Sequence, residues 1–159
     1  MVAPSRVRAA VNLANGSTIT GLAVALVGRA RLSRAPGGLL TGTGYRLPIP
    51  PAPAFTLGNV ILTRRDLLPA NSALFRHEAR HATQYAWCGG VLMLPMYLTA
   101  AGASWVVCGD FGAWNVFERK AGLADGGYPA WPPRPVFAQL AAKLARNRRL
   151  PGKSAQQPV

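Results

Sequence analysis

Between Cys88 and Gly109 the chain carries no charged residue, a run of 22 positions. Such a run is long enough to cross a bilayer. One crossing would put all that precedes it and all that follows it on opposite faces of a membrane. Both histidines, His77 and His81, precede the run; Glu118 and Asp125 follow it. A site drawing on both groups therefore requires the run to fold back, as a helical hairpin, an interfacial loop dipping into one leaflet or a buried core helix. Pro95 and Gly102 are the expected bending points.

At 159 residues the chain fits one domain with one core. Half of its residues are apolar and 14% are charged, few for covering a surface in water. The net charge is +13, with 18 Lys or Arg against Asp66, Glu78, Asp110, Glu118 and Asp125. That excess favours an anionic partner, a membrane leaflet or a nucleic acid, although GC-rich codons for Ala, Gly, Pro and Arg account for part of it. Nucleic acid is the less expected of the two, because the arginines are scattered and no nucleic-acid module is recognisable. Cys88 and Cys108 form no CxxC pattern, so no disulfide framework is expected. With no signal peptide apparent, a cytoplasmic protein is expected, with the inner membrane face as one location.

Residues 17 to 30 read as a helix capped by Ser17 and left near Gly28, although Ile19, Val24 and Val27 would equally suit a strand. The punctuated segments "APGGLLTGTGY" and "RLPIPPAPA" break the next stretch into short extended pieces. Residues 54 to 64, "AFTLGNVILTR", are the best strand, with a close backbone approach expected at Gly58. Pro69, Asn71 and Ser72 announce a helix that ends at Gly89-Gly90. Residues 112 to 128 read as one helix closing at glycines. The stretch 136 to 149 places Val136, Phe137, Leu140 and Leu144 at helical spacing, with Lys143, Arg146, Arg148 and Arg149 toward its end. That helix either lies in a membrane interface or packs on the domain, and the residues after it read as disordered. The fold class is α+β: a small N-terminal sheet packed on the 69–90 helix, then an apolar helical segment, a ligand-bearing helix and a C-terminal basic helix. Residues 1–128 form the domain; residues 129–159 form a Pro-rich linker, the basic helix and a tail.

Residues 77 to 81 read His-Glu-Ala-Arg-His, the pattern HExxH. On a helix, positions four apart stack on one face with α-carbons about 6 Å apart, so two imidazoles can converge on one tetrahedral Zn²⁺. Glu78, about 100° around the axis, can address a water beside the metal while staying outside the coordination shell, the place of a general base. By accident the pattern occurs in roughly one chain in a few hundred of this length, and its competing reading is a solvated polar pair. His77, His81, Gln84 and Cys88 share one stripe; Phe75, Ala79, Ala82 and Ala86 form a small-residue face suited to packing on a sheet. Gln84 either hydrogen-bonds near the site or is a surface residue. Cys88, seven residues beyond His81, is about 10 Å along the axis and too far to be a ligand.

With these residues the chain resembles the zincin metallopeptidases, whose active helix carries HExxH beside a small sheet with a substrate-pairing edge strand. Residues 54 to 128 also resemble a group of short bacterial HExxH proteins with a strand, "HExxHxxQ", an apolar segment and "FERxAGLADGGY" in that order. The resemblance implies zinc-dependent peptide hydrolysis, with Leu57, Gly58 and Asn59 in the substrate strand. A hydrolytic centre needs a third protein ligand, and no third histidine exists. Glu118, 37 residues after His81, is the choice, similar to the gluzincin scheme; its alternative is a surface ion pair with Arg119 or Lys120. Asp125 would orient a ligand histidine or simply end a helix, and it departs from the gluzincin pattern, since Gly122 stands where that aspartate usually lies. Tyr128, Tyr85 or an arginine would stabilise the oxyanion. The expected partner is a peptide or protein substrate, with an anionic membrane surface as a second. Alternatives are a catalytically inactive zincin scaffold, a metal enzyme acting on another bond, or a basic membrane-surface or nucleic-acid binding protein.

Overall fold

The computed structural model of the chain describes residues 5–148. It is an α+β fold. Strands β1 (Arg31–Ala35), β2 (Leu39–Thr43), β3 (Ala54–Leu57) and β4 (Val60–Thr63) form one sheet in the order β1-β2-β4-β3. β1–β2 and β3–β4 are antiparallel, and β2–β4 is parallel. The helices are α1 (Ser5–Ala14), α2 (Ser17–Val27), α3 (Ala73–Trp87), α4 (Met93–Cys108), α5 (Val116–Ala121), α6 (Leu123–Gly126) and α7 (Pro135–Arg148).

Every residue of β4 is buried because the strand is interior to the sheet and covered on both faces. Ile61 packs with Leu39, Phe75 and Ala82 on the α3 side, whereas Val60 and Leu62 pack with Ala25 and Tyr45 on the α2 side. The small-residue face of α3 thus meets the sheet as its pattern implies. Ser72 caps α3 by accepting a hydrogen bond from the Phe75 amide at 3.1 Å, and Gly89, at φ 72°, follows its end.

Four readings of local structure are corrected. Residues 54 to 64 are not one strand but a hairpin, turning at Gly58-Asn59 with Leu57 opposite Val60. Gly58 takes φ 61°, the position where tight hairpins place glycine, and a Cβ there would lie 2.4 Å from the Thr18 amide nitrogen. Ser17 is not a cap: Gly16 precedes α2 without a side-chain cap, and Ser17 Oγ bonds back to the Asn12 carbonyl at 3.1 Å. A further helix, α1, lies before it at 76° to α2. Its polar residues broke the apolar pattern because they are bonded inside the molecule: Asn12 Nδ2 donates to Ala82 O at 2.8 Å and to Asn59 Oδ1 at 3.0 Å.

The uncharged run does return, but not by bending at Pro95 or Gly102. α4 runs unbroken through both, and Pro95 sits in its first turn, where the missing N–H forfeits no helical bond. The reversals lie at its ends, where Gly89, Gly90 and Gly109 take positive φ. Residues 112 to 128 are not one helix either, since Gly122, at φ 91°, separates α5 from α6. The Pro-rich segment that follows lies against the domain, with Trp114 Nε1 donating to Trp131 O at 2.9 Å and the Arg134 amide to Val107 O at 2.8 Å. In α7, Val136 and Leu140 are exposed. Arg149 and the expected disordered tail lie outside the described residues, as do the side chains of Leu144, Arg146 and Arg148.

Candidate metal centre

α3 places His77 and His81 one turn apart on its buried side, with Nε2 atoms 3.0 Å from each other. α5 delivers Glu118 opposite them: Oε2 is 3.0 Å from His77 Nε2 and 3.5 Å from His81 Nε2. Glu118 is 2% exposed, which overturns the reading of it as a surface ion-pair residue. The outward atoms of the trio are held separately. His77 Nδ1 is 3.0 Å from the Gly122 carbonyl. His81 Nδ1 is 2.8 Å from Gln84 Oε1, while Gln84 Nε2 donates to Phe117 O at 2.9 Å and so fixes the amide orientation. Glu118 Oε1 accepts from the Tyr97 hydroxyl.

These outer bonds decide the chemistry of the inner atoms. A carbonyl and an amide oxygen only accept, so each histidine carries its proton on Nδ1 and turns a bare Nε2 inward. Glu118 Oε2 is buried with no hydrogen-bond partner. Three lone pairs therefore converge out of water, an arrangement that is costly without positive charge among them. The group, with ligand atoms within 4.8 Å of one another, can hold a metal ion. Gln84, Gly122 O and Tyr97 orient its ligands in the way outer partners do at metal sites.

Without a metal, only a proton can serve. Burial works against charge on His81, yet the hydrogen bond that its protonated ring donates to Glu118 and the fields of Glu78 and Glu118 raise its pKa above the ordinary value. Burial likewise opposes ionisation of Glu118, but once an Nε2 facing it is protonated, hydrogen bonds from His77 and His81, with that from Tyr97, hold its pKa at about 2.

Glu78 is 4% exposed and lies in the fields of both histidines. Thr56 of β3 donates its hydroxyl to Glu78 Oε2 at 2.8 Å. Burial dominates, and the Glu78 pKa rises from its ordinary value, the direction a carboxyl needs to act as a base near neutral pH. A cavity of about 310 Å³ opens onto these groups, with Phe55 and Leu57 of β3 on one side and Leu94 and Leu98 of α4 on the other. Tyr85 and Tyr128 also line it. Burial pushes the Tyr128 hydroxyl up to about 12 and raises that of Tyr85, so both remain donors in neutral solution.

Two expected site roles fail. Asp125 does not touch a histidine; it pairs with Arg80 at 2.6 Å and Arg76 at 3.5 Å, because the break at Gly122 turns it to the outer side of α3. The Gly122 carbonyl occupies its expected role. Of the substrate-strand residues, Leu57 lines the cavity, but Gly58 is pressed against α2 and Asn59 bonds Ala9 O and Thr18 Oγ1. The edge of the sheet beside the site is Ala54–Leu57.

Sequence reasoning missed Tyr97 and Thr56. The available signal for Tyr97 was a phenol in an otherwise apolar run, a hydroxyl that needs a partner once buried. Gly126 also belongs to the centre: a Cβ there would lie 2.5 Å from His77 Cε1. Comparison with protein-family models, curated proteins and solved structures finds no match for this chain.

Proposed function

We propose that the chain is a zinc-dependent metallopeptidase of the zincin type. The observation that carries this reading is the convergence of two bare imidazole nitrogens and an unpartnered carboxylate oxygen beside a buried carboxyl, Glu78, at the wall of a cavity. Two nitrogens and one oxygen form the donor set of many catalytic zinc sites, in which a fourth position stays open. Zinc held by His77, His81 and Glu118 would supply a Lewis acid that polarises a carbonyl and lowers the pKa of a water toward ~7.

This chain's own residues account for the remaining steps. Glu78 takes the proton of the attacking water on its carboxylate and passes it to the leaving amine, and Thr56 holds the carboxylate in position through Oε2. Tyr128 and Tyr85 offer O–H donors to the oxyanion. The free edge of β3 can pair with an extended peptide backbone, and the apolar walls from β3 and α4 accept an apolar side chain.

The test combines metal analysis with hydrolysis of a peptide library. Wild type and Glu78→Gln are expected to carry equal zinc, with hydrolysis lost in the variant, while Glu118→Ala and His81→Ala lose zinc. Equal turnover by wild type and Glu78→Gln would overturn the mechanism. Undiminished zinc in Glu118→Ala would overturn the ligand set.

A further inference from the structure

α4 buries one side and exposes the other, and both sides are apolar. Met93, Ala101 and Ser104 face the domain. Leu92 just before the helix, then Leu98, Trp105 and Val106, face outward at 48–67% exposure. The stretch Gly90–Cys108 is long and apolar enough to cross a membrane, and few of its residues are buried. A helix on the surface of a protein in water carries polar residues on its outer side; here Thr99 is the one outward polar residue between Leu92 and Val106.

The far end of this face carries an aromatic rim set with arginines. Trp105 stacks on Phe111 at 6.4 Å, and the Arg134 guanidinium lies 5.5 Å from the Trp105 ring. Arg119 lies 4.9 Å from the ring of Trp114. Tryptophan beside cationic side chains is the composition of a membrane–water boundary. Asp66 pairs with Arg31, Asp125 pairs with Arg76 and Arg80, and Glu78 and Glu118 are buried; Asp110, beside Phe111, is the one side-chain carboxylate in the rim segment, its Oδ1 accepting from the amides of Gly112 and Ala113. Arg119 and Arg134 outnumber that single carboxylate at the rim, in a chain of net charge +13.

We propose that the outer face of α4 docks on an anionic phospholipid bilayer, with the helix in the interfacial plane and the Trp105–Phe111–Trp114 rim and its arginines at the headgroups. The cavity walled by Leu94 and Leu98 then adjoins the lipid. An in-plane placement follows from geometry. The inner side of α4 is tied to the domain by polar contacts. Along its inner side Ser104 Oγ bonds Asp110 O and the Trp114 amide, and Tyr97 bonds Glu118, so a spanning helix would carry these polar groups into hydrocarbon. A second copy is a poor occupant, because two strongly cationic chains repel.

The full chain is floated with vesicles of phosphatidylglycerol mixed with phosphatidylcholine, and with vesicles of phosphatidylcholine alone. Wild type is expected to float with the anionic vesicles and to bind at least about tenfold more weakly to neutral ones. The variant Leu92→Glu/Val106→Glu is expected to lose flotation while keeping its helical circular dichroism and its zinc; Leu92→Ser/Val106→Ser replaces it if the glutamates disturb folding. Equal flotation of variant and wild type, or of the two vesicle types, would overturn the proposal. So would absence of flotation alongside a dimer that the variant dissolves, which would assign the face to a second copy. Retention of wild type in cell membranes through alkaline carbonate extraction would overturn the in-plane placement. Docking stands apart from the peptidase reading, since flotation tests one and the Glu78→Gln comparison tests the other.

Discussion

At the residue scale the site is governed by which nitrogen of each histidine carries the proton. Gln84 sets this for His81, so Gln84→Ala is expected to weaken zinc binding by about 10–100-fold while the fold survives. Titration with a competing chelator measures it, and unchanged affinity would mean that Gln84 does not set the tautomer. Proton and metal compete for the same atoms, which gives the stability of the metal-free protein a definite sign with pH. His81 has a folded pKa raised above 6.5, so its contribution is complete below that value and is lost as pH rises through the folded pKa. Glu78, raised from 4.5 by burial, acts in the same direction from a lower starting pH. Glu118, held at about 2, contributes above 4.5 and is lost only as pH falls toward 2. Thermal melts in chelator are therefore expected to show stability falling from mildly acidic to alkaline pH, and zinc is expected to reverse that slope because its ligands must be deprotonated. Metal-free stability that rises over this range would contradict the arrangement.

At the scale of elements, what was legible depended on how local the signal was. α3 was readable from end to end because its cap, its packing face and its terminating glycine all lie within or beside it. The β3–β4 hairpin was read as one strand because β-branched residues flank Gly58-Asn59, and the turn is dictated partly by α2 pressing on that glycine. α5 and α6 were read as one helix because an interior glycine is compatible with helical periodicity; only the positive φ at Gly122 breaks it, and that break directs a carbonyl to His77. Gly126, the last residue of α6, packs tightly on the same ring. Gly126→Ala is accordingly expected to cost about 1–3 kcal/mol by overpacking and to displace His77. Denaturant unfolding together with zinc stoichiometry checks this, and full stability with full zinc content would show that the ring can move aside.

At the scale of the whole molecule, a metal held by this trio would couple its binding to folding, because α3 and α5 contribute the three side chains from distant parts of the chain. Zinc present at about 100 times its dissociation constant is expected to stabilise the fold by about 2.7 kcal/mol, a rise of about 5–10 °C in Tm for a chain of this size. Calorimetry with and without chelator measures the shift, and its absence in wild type would count against a site that binds only the folded state. The amino-acid sequence by itself determined that two imidazoles and Glu78 share a neighbourhood on one helix, since positions four apart meet through helical geometry alone. It also determined the cationic excess and the uncharged run. The tertiary structure decided that Glu118 closes the trio, that Tyr97 and Gly122 rather than Asp125 hold the ligands in place, and that α4 walls the cavity instead of separating its two halves. Those contacts join residues from separate elements, where the return path of the chain and the packing of buried surfaces govern the outcome and local periodicity carries no information.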